Sequence, residues 1–239
     1  FNGTNYLIVW TDERNDTSDI YGARVTQSGL VLDTSGIVIS SAPRYQEVPA
    51  VIAGATDYFV AWQDWRNLSN GYDIYGARVT DDGVVLEPNG IPVSTISKSQ
   101  LNVAVAFDGI NYLVVWQDER VSIDSTDIYC ARVDQSGIVL DTVGIAISTR
   151  SIEQTEPSVD FDGTNYCIVW EDFYGQSGQY MWEIYCNRMT TSGFTLDSSG
   201  FVISKAVNSQ KAPALAYDGT NYLCVWTDTR DDPDTMNIY

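Results

Sequence analysis

Carboxylates stand beside arginines at one fixed spacing along this chain. The pattern W-x-D-x-R supplies Asp12/Arg14, Asp64/Arg66, Asp118/Arg120 and Asp228/Arg230, and it breaks once, at Asp172/Tyr174. A further acid follows these motifs at Asp19, Asp73, Asp127 and Glu183. If the chain turns back between the two sets, the acids of each pair face one another across a hairpin. Two facing carboxylates and nearby loop carbonyls could hold Ca2+, which takes about 6–8 oxygen ligands. The candidate ligands are then Asp12, Asp19, Asp64, Asp73, Asp118 and Asp127. An arginine beside such a pair can neutralise it instead, through two parallel hydrogen bonds. The first of these loops, DERNDTSD from Asp12, lacks the spacing, the glycine and the terminal glutamate of an EF-hand. Arginine pairing is therefore the expected arrangement, with no cofactor required and Ca2+ as the alternative.

Other side chains could recognise a ligand. Trp65, Tyr72, Tyr174, Tyr180, Trp182, Arg44 and Tyr45 fall between the apolar runs and recur at no fixed spacing. Flat aromatic faces near carboxylates and amides suit sugars or peptides, although aromatics can equally anchor the loops that carry them. Histidine is absent. That removes the usual general base, the usual pH switch and the commonest zinc ligand, and it makes a Ser-His-Asp triad impossible within this chain.

The charge balance narrows the partners. Lys and Arg total 13 against 32 Asp and Glu, a net charge of −19. Such a surface repels phosphate backbones, which argues against nucleic acid and anionic membranes. No apolar run reaches the ~18–20 residues of a membrane span. Cys130, Cys167, Cys186 and Cys224 form no C-x-x-C pair, so zinc is not indicated. Each takes the place of an ordinary strand residue in a repeat. Buried free thiols acting as small apolar residues are expected, with a Cys167–Cys186 bridge left open.

The elements that position these residues repeat. Trp10, Trp62, Trp116, Trp170 and Trp226 each close a phrase of the type DGTNYLIVW. Three further phrases recur: DIYGARV from Asp19 and Asp73, LVLDTSGIVIS from Leu30, and glutamine-led runs such as QEVPAVI from Gln46. Each phrase is rich in β-branched and aromatic residues and is bounded by Gly, Asn, Asp or Ser, so each repeat is four short strands. These are lettered A (glutamine-led), B (closing on the tryptophan), C (DIY) and D. Four-stranded antiparallel units of this length, repeated end to end, are the blades of a β-propeller. The expectation is a single all-β domain over 1–239, with repeats at about 1–52, 53–106, 107–160, 161–216 and 217–239. At least five blades are represented, and the first and last are incomplete.

Within such a ring strand A is innermost, so Gln46, Gln100, Gln154 and Gln210 should circle the channel mouth. They could form a polar collar for a ligand, or each amide could satisfy loop backbone. The A–B and C–D turns are short and alike between blades, whereas the B–C and D–A loops share the opposite face and vary. A ligand is expected on that variable face. Glu47, Glu156 and Asp160 lie on or near inner strands and could serve the two-carboxylate chemistry of glycoside hydrolysis.

The DG turn into an apolar strand, W-x-D-x-R, DIY and the [DQ]-S-G turn together resemble the hairpins of TolB-like and WD40-like propeller repeats of bacterial proteins. The likeness runs through every blade and departs at the blade start, where Q-x-x-P-A-V-A-F stands. It implies fold far more than function, because propellers host many activities. The function expected is a secreted or cell-surface bacterial module that binds a glycan or protein through its variable loops, without nucleic acid or membrane insertion. A purely structural repeat of a larger surface protein is the first alternative and a propeller glycoside hydrolase the second; an enzyme is not the expected reading.

Overall fold

In the computed structural model, residues 1–122, 125–150, 153–176, 179–198, 200–232 and 235–239 are described, with backbone alone for 122, 175, 176, 179 and 180. They form five antiparallel sheets. The first holds β1 (Asn5–Asp12), β2 (Asp19–Thr26) and β3 (Ile37–Ser40). The second holds β4 (Gln46–Ala53), β5 (Asp57–Asp64), β6 (Asp73–Thr80) and β7 (Ile91–Ser94). The third holds β8 (Gln100–Phe107), β9 (Asn111–Ser122), β10 (Ser125–Asp134) and β11 (Ile145–Ser148). The fourth holds β12 (Gln154–Phe161), β13 (Asn165–Gln176), β14 (Gln179–Thr190) and β15 (Phe201–Ser204). The fifth holds β16 (Gln210–Tyr217), β17 (Tyr222–Asp228) and β18 (Asn237–Ile238).

Strands follow one another in sequence across each sheet, so every neighbour is reached by a simple turn. The glutamine-led strands β4, β8, β12 and β16 pack side by side and form the inner wall. Each therefore belongs to the sheet of the tryptophan phrase that follows it. Only the IxIS half of the LVLDTSGIVIS phrase is a strand; its LVL half makes a single bridge, such as Val31 to Val25.

Alternation along strand B builds the core. Side chains of successive strand residues point to opposite faces. Tyr58, Val60 and Trp62 pack against Leu7, Ile20 and Ile39 of the preceding sheet. Phe59 and Ala61 face the following sheet, where Tyr112, Val114 and Trp116 meet them. Leu113 and Val115 repeat the arrangement against Tyr166, Ile168 and Trp170. In the second, third and fourth sheets strand B is thus apolar on both faces because both are covered.

The inner strands are not regular. Register shifts between Glu47 and Ala50, Leu101 and Ala104, Thr155 and Ser158, and Lys211 and Ala214 mark one β-bulge in each. The bulged residues Val48, Asn102, Glu156 and Ala212 all have φ near +50°. That left-handed conformation disfavours non-glycine residues, and β-branched Val48 most of all.

Candidate functional site

Each W-x-D-x-R motif folds into a closed polar unit. Two residues apart on one strand, Trp62 and Asp64 share a face, and the indole Nε1 donates to Asp64 Oδ2 at 2.9 Å. Arg66 donates from Nε at 2.9 Å, from Nη2 at 2.6 Å and from its own backbone N at 3.0 Å to the same carboxylate. Its Nη1 reaches Asn89 O at 2.6 Å, and its guanidinium stacks 3.9 Å from the Tyr75 ring centroid. Asp12, Asp118 and Asp228 are held in the same way by Arg14, Arg120 and Arg230. These hydrogen bonds hold the Asp12 carboxyl well below the usual carboxylate range, with Arg14 the largest cause. In the fourth blade, where Tyr174 stands in place of arginine, Arg150 arrives from the preceding D–A loop. It lies 3.5 Å from Asp172 and 4.4 Å from the Tyr185 ring centroid.

This geometry leaves the calcium reading without support. The oxygens of Asp12, Asp64 and Asp118 are taken by arginine, indole and backbone donors. Asp19, Asp73 and Asp127 do stand opposite them across the hairpins, buried beside the arginines. Burial pushes Asp73 and Asp127 up to about 6, so these groups resist charge rather than gather it. Among the described residues no group of acidic or cysteine side chains is arranged to hold a metal ion.

The glutamines open the inner strands β4, β8, β12 and β16, and their side chains are enclosed. Gln46, Gln100, Gln154 and Gln210 are fully buried. Gln46 Nε2 donates to Arg44 O at 3.2 Å, Gln100 to Lys98 O at 2.9 Å, Gln154 to Arg150 O at 3.3 Å and Gln210 to Asn208 O at 2.9 Å. Each amide thus satisfies the backbone of its own D–A loop. This is the loop-backbone role of the two the sequence offered; Gln46 Oε1 and Gln100 Oε1 stay buried without a hydrogen-bond partner.

The unrepeated aromatics separate into two groups on the loop face. Tyr45, Trp65 and Tyr72 stack in a row, with ring centroids 5.7 Å apart at each step. Tyr72 donates to Glu47 Oε2 at 2.8 Å, and burial with this contact pushes its hydroxyl up to about 12. Arg44 sits beside the row in the D–A loop, exposed, at φ 76°. In the second group Trp182 packs on Phe173 at 4.9 Å between centroids, with Lys211 Nζ 4.9 Å from its ring. Tyr174 lies near Lys205, 4.6 Å from ring to Nζ. The Tyr180 side chain lies outside the described residues.

Trp182 forms one wall of a cleft of about 660 Å3 over the inner strands. Its polar lining is Asn102, Gln117, Glu153, Glu156, Glu171 and Lys211. Asn102 Nδ2 donates to Glu156 Oε1 and to Gln117 Oε1, both at 3.0 Å. Glu171 accepts from Ala212 N at 2.5 Å and from Thr155 Oγ1 at 3.3 Å. Burial raises the Glu171 carboxyl above its ordinary value, and exposed Glu156 nearby raises it further. The inner-strand bulges are what turn Asn102 and Glu156 to face each other.

Of the three acids proposed for two-carboxylate chemistry, the cleft takes only Glu156. Glu47 is engaged with Tyr72, and Asp160 Oδ2 accepts Tyr217 N at 2.7 Å, holding the next blade. The acid that joins Glu156 is Glu171, which the sequence reading missed. Its signal was present: the middle position of W-x-D is Thr11, Gln63, Gln117 and Thr227 elsewhere, and an acid only here.

No family model matches the chain, and no curated protein matches its sequence. Solved structures match its fold. An endo-arabinase from Bacteroides thetaiotaomicron aligns with a TM-score of 0.56 at 11% identity, over 99% of this chain and 88% of its own. A thermostable family-43 glycoside hydrolase aligns at 0.56 and 12%, over 96% and 87%. An exo-1,5-α-L-arabinanase from a bovine ruminal metagenomic library aligns at 0.52 and 10%, over 98% and 88%. These likenesses support the propeller and not TolB-like or WD40-like repeats in particular. With five sheets of antiparallel strands arranged as in these proteins, the chain has the fold of a five-bladed β-propeller.

Proposed function

We propose that this propeller binds a glycan in the cleft between Trp182, Glu156 and Glu171, as a secreted or cell-surface bacterial module. The observation that carries the reading is the cleft itself, in which an indole stands over a floor of carboxylates and amides. An apolar ring face with convergent hydrogen-bonding groups is what a sugar ring requires. The placement outside the cell rests on the acidic surface, with its net charge of −19. Because two of the structural neighbours are named for arabinan, arabino-oligosaccharides are the first probe. Calorimetric titration of the full chain should show binding that weakens at least ~10-fold in Trp182→Ala. Binding that Trp182→Ala leaves unchanged would reject the cleft, and an empty glycan array would favour a purely structural module.

A second reading has its own observation. Glu171 is buried with a raised carboxyl beside exposed Glu156, the pairing of acid and carboxylate that glycoside hydrolysis uses. Release of reducing ends from arabinan, lost in Glu171→Gln while sugar binding persists, would establish it. Binding without turnover stands first because both Glu171 oxygens are already committed to Ala212 and Thr155.

A further inference from the structure

The fourth blade carries a pair of cysteines that the other blades do not. At the third residue of strand B the chain has Leu7, Phe59, Leu113, Cys167 and Leu223. At the fourth residue of strand C it has Gly22, Gly76, Cys130 and Cys186. In the first two blades the large residue packs over the glycine. A Cβ added at Gly22 would lie 3.4 Å from Leu7 Cδ1, and one at Gly76 would lie 2.5 Å from Phe59 Cζ. The two positions therefore share one volume, and in the fourth blade both are filled by sulfur. Val169 is opposite Cys186 and Cys167 is opposite Arg188, so the cysteines are diagonal neighbours on one face of the sheet. Their Sγ atoms are 3.1 Å apart, and the residues are 7% and 1% exposed.

We infer that Cys167 and Cys186 are a site of disulfide formation, closed by exchange with an external disulfide. In that step the Cys167 Sγ–Sγ Cys186 bond forms and the S–S bond of the external disulfide breaks. The two protein thiols are oxidised, and their protons leave on two released small thiols. The sulfurs must approach by about 1 Å to reach the ~2.05 Å of the bond, and, because diagonal neighbours lie ~7–8 Å apart, the two strands must draw together locally as it closes. Both also line an apolar groove of about 420 Å3, beside Ile203, Leu215, Leu223 and Trp226. Cys224 stands at the same groove in a position held by Ile8, Val60, Val114 and Ile168 elsewhere, and Cys130 packs on Met189 with Sγ to Sδ 3.7 Å. The hydrogen bond with the Cys167 thiol, and then burial, push the Cys186 thiol far up, and burial pushes Cys224 up to about 11. Exchange needs thiolate, so it runs fastest while the sheets are still coming together. The bridge would tie together the two strands, β13 and β14, that carry Glu171 and Trp182.

The test is to refold the reduced full chain in a mixture of reduced and oxidised glutathione, quench it in acid, alkylate and map the peptides by mass. The expected product has Cys167 joined to Cys186, alkylated Cys130 and Cys224, and a melting temperature that falls on adding reductant. Alkylation of all four cysteines, or a bridge to Cys130 or Cys224, would overturn the inference. Cys167→Leu and Cys186→Gly restore residues found in other blades, so both should fold and both should lose the reductant-dependent shift. Persistence of that shift in either variant would also overturn it.

Discussion

At the scale of single residues, the recurring Asp–Arg–Trp–Tyr unit shows how an acidic chain buries carboxylates against arginine and indole donors. Asp64, Asp118 and Asp228 are fully buried, yet each carboxylate meets arginine donors, the indole at Oδ2 and a backbone N–H at Oδ1. The second acid of each hairpin is less well served: Asp73 accepts from Asn70 at 2.6 Å, and its Oδ2 is buried without a hydrogen-bond partner. Burial holds Asp73 and Asp127 at about 6, above the ~3.9 of an unfolded aspartate. Between those two values the folded chain keeps protons that the unfolded chain has released, so stability falls as pH rises through ~4 to 6 and stays lower above it. A rise of about two pH units corresponds to ~2–3 kcal/mol per group. Asp73→Asn and Asp127→Asn should therefore be more stable than the parent at pH 7.5 and no more stable at pH 4. Urea melts at the two pH values check this, and an equal difference at both would refute it. The arginines were legible in the sequence because they act over two residues. Arg150 was not, because it replaces its counterpart from another loop.

At the scale of elements, the blades share one pattern and differ in how fully it is covered. Trp62, Trp116 and Trp170 are fully buried between sheets, whereas Trp10 and Trp226 are only partly so. Trp116→Ala should cost ~3–5 kcal/mol, and Trp10→Ala distinctly less, by chemical denaturation of the full chain. Equal costs would mean that the tryptophan serves its own hairpin more than the contact between sheets. The fourth blade departs furthest: β13 and β14 are 12 residues each, against 8 for β5 and β6. That extension lifts Trp182 over the cleft. Its aromatic content was visible in the sequence as an exception to the repeat. Its partners were not, because Glu171 and Lys211 look like ordinary strand residues until the sheets are stacked.

At the scale of the whole molecule, charge and uncovered apolar surface stand out. A net charge of −19 over 239 residues sets like charges against each other. Raising salt from ~0.01 to 0.15 M shortens the screening length from ~30 to ~8 Å, so the melting temperature should rise; a fall would mean that the arginine pairs outweigh the repulsion. Tyr6 and Ile8 of β1 are 46% and 54% exposed and Leu223 of β17 is 65% exposed, while Tyr58, Val60 and Leu113 at matching places are buried. The strands other than the LVL half of the D phrase, the four-strand repeat and the Trp–Asp–Arg unit could all be read from the residues. All of these follow from alternation along a strand and from contacts between near neighbours, and repetition states them several times over. Tertiary structure alone decided which distant groups meet. The inner-strand bulges aim Asn102 and Glu156 at each other, stacking brings Glu171 to Ala212, and the glutamines turn into their own loops. Those outcomes depend on backbone conformation and on packing between sheets some fifty residues apart, and neither leaves a mark in the local pattern.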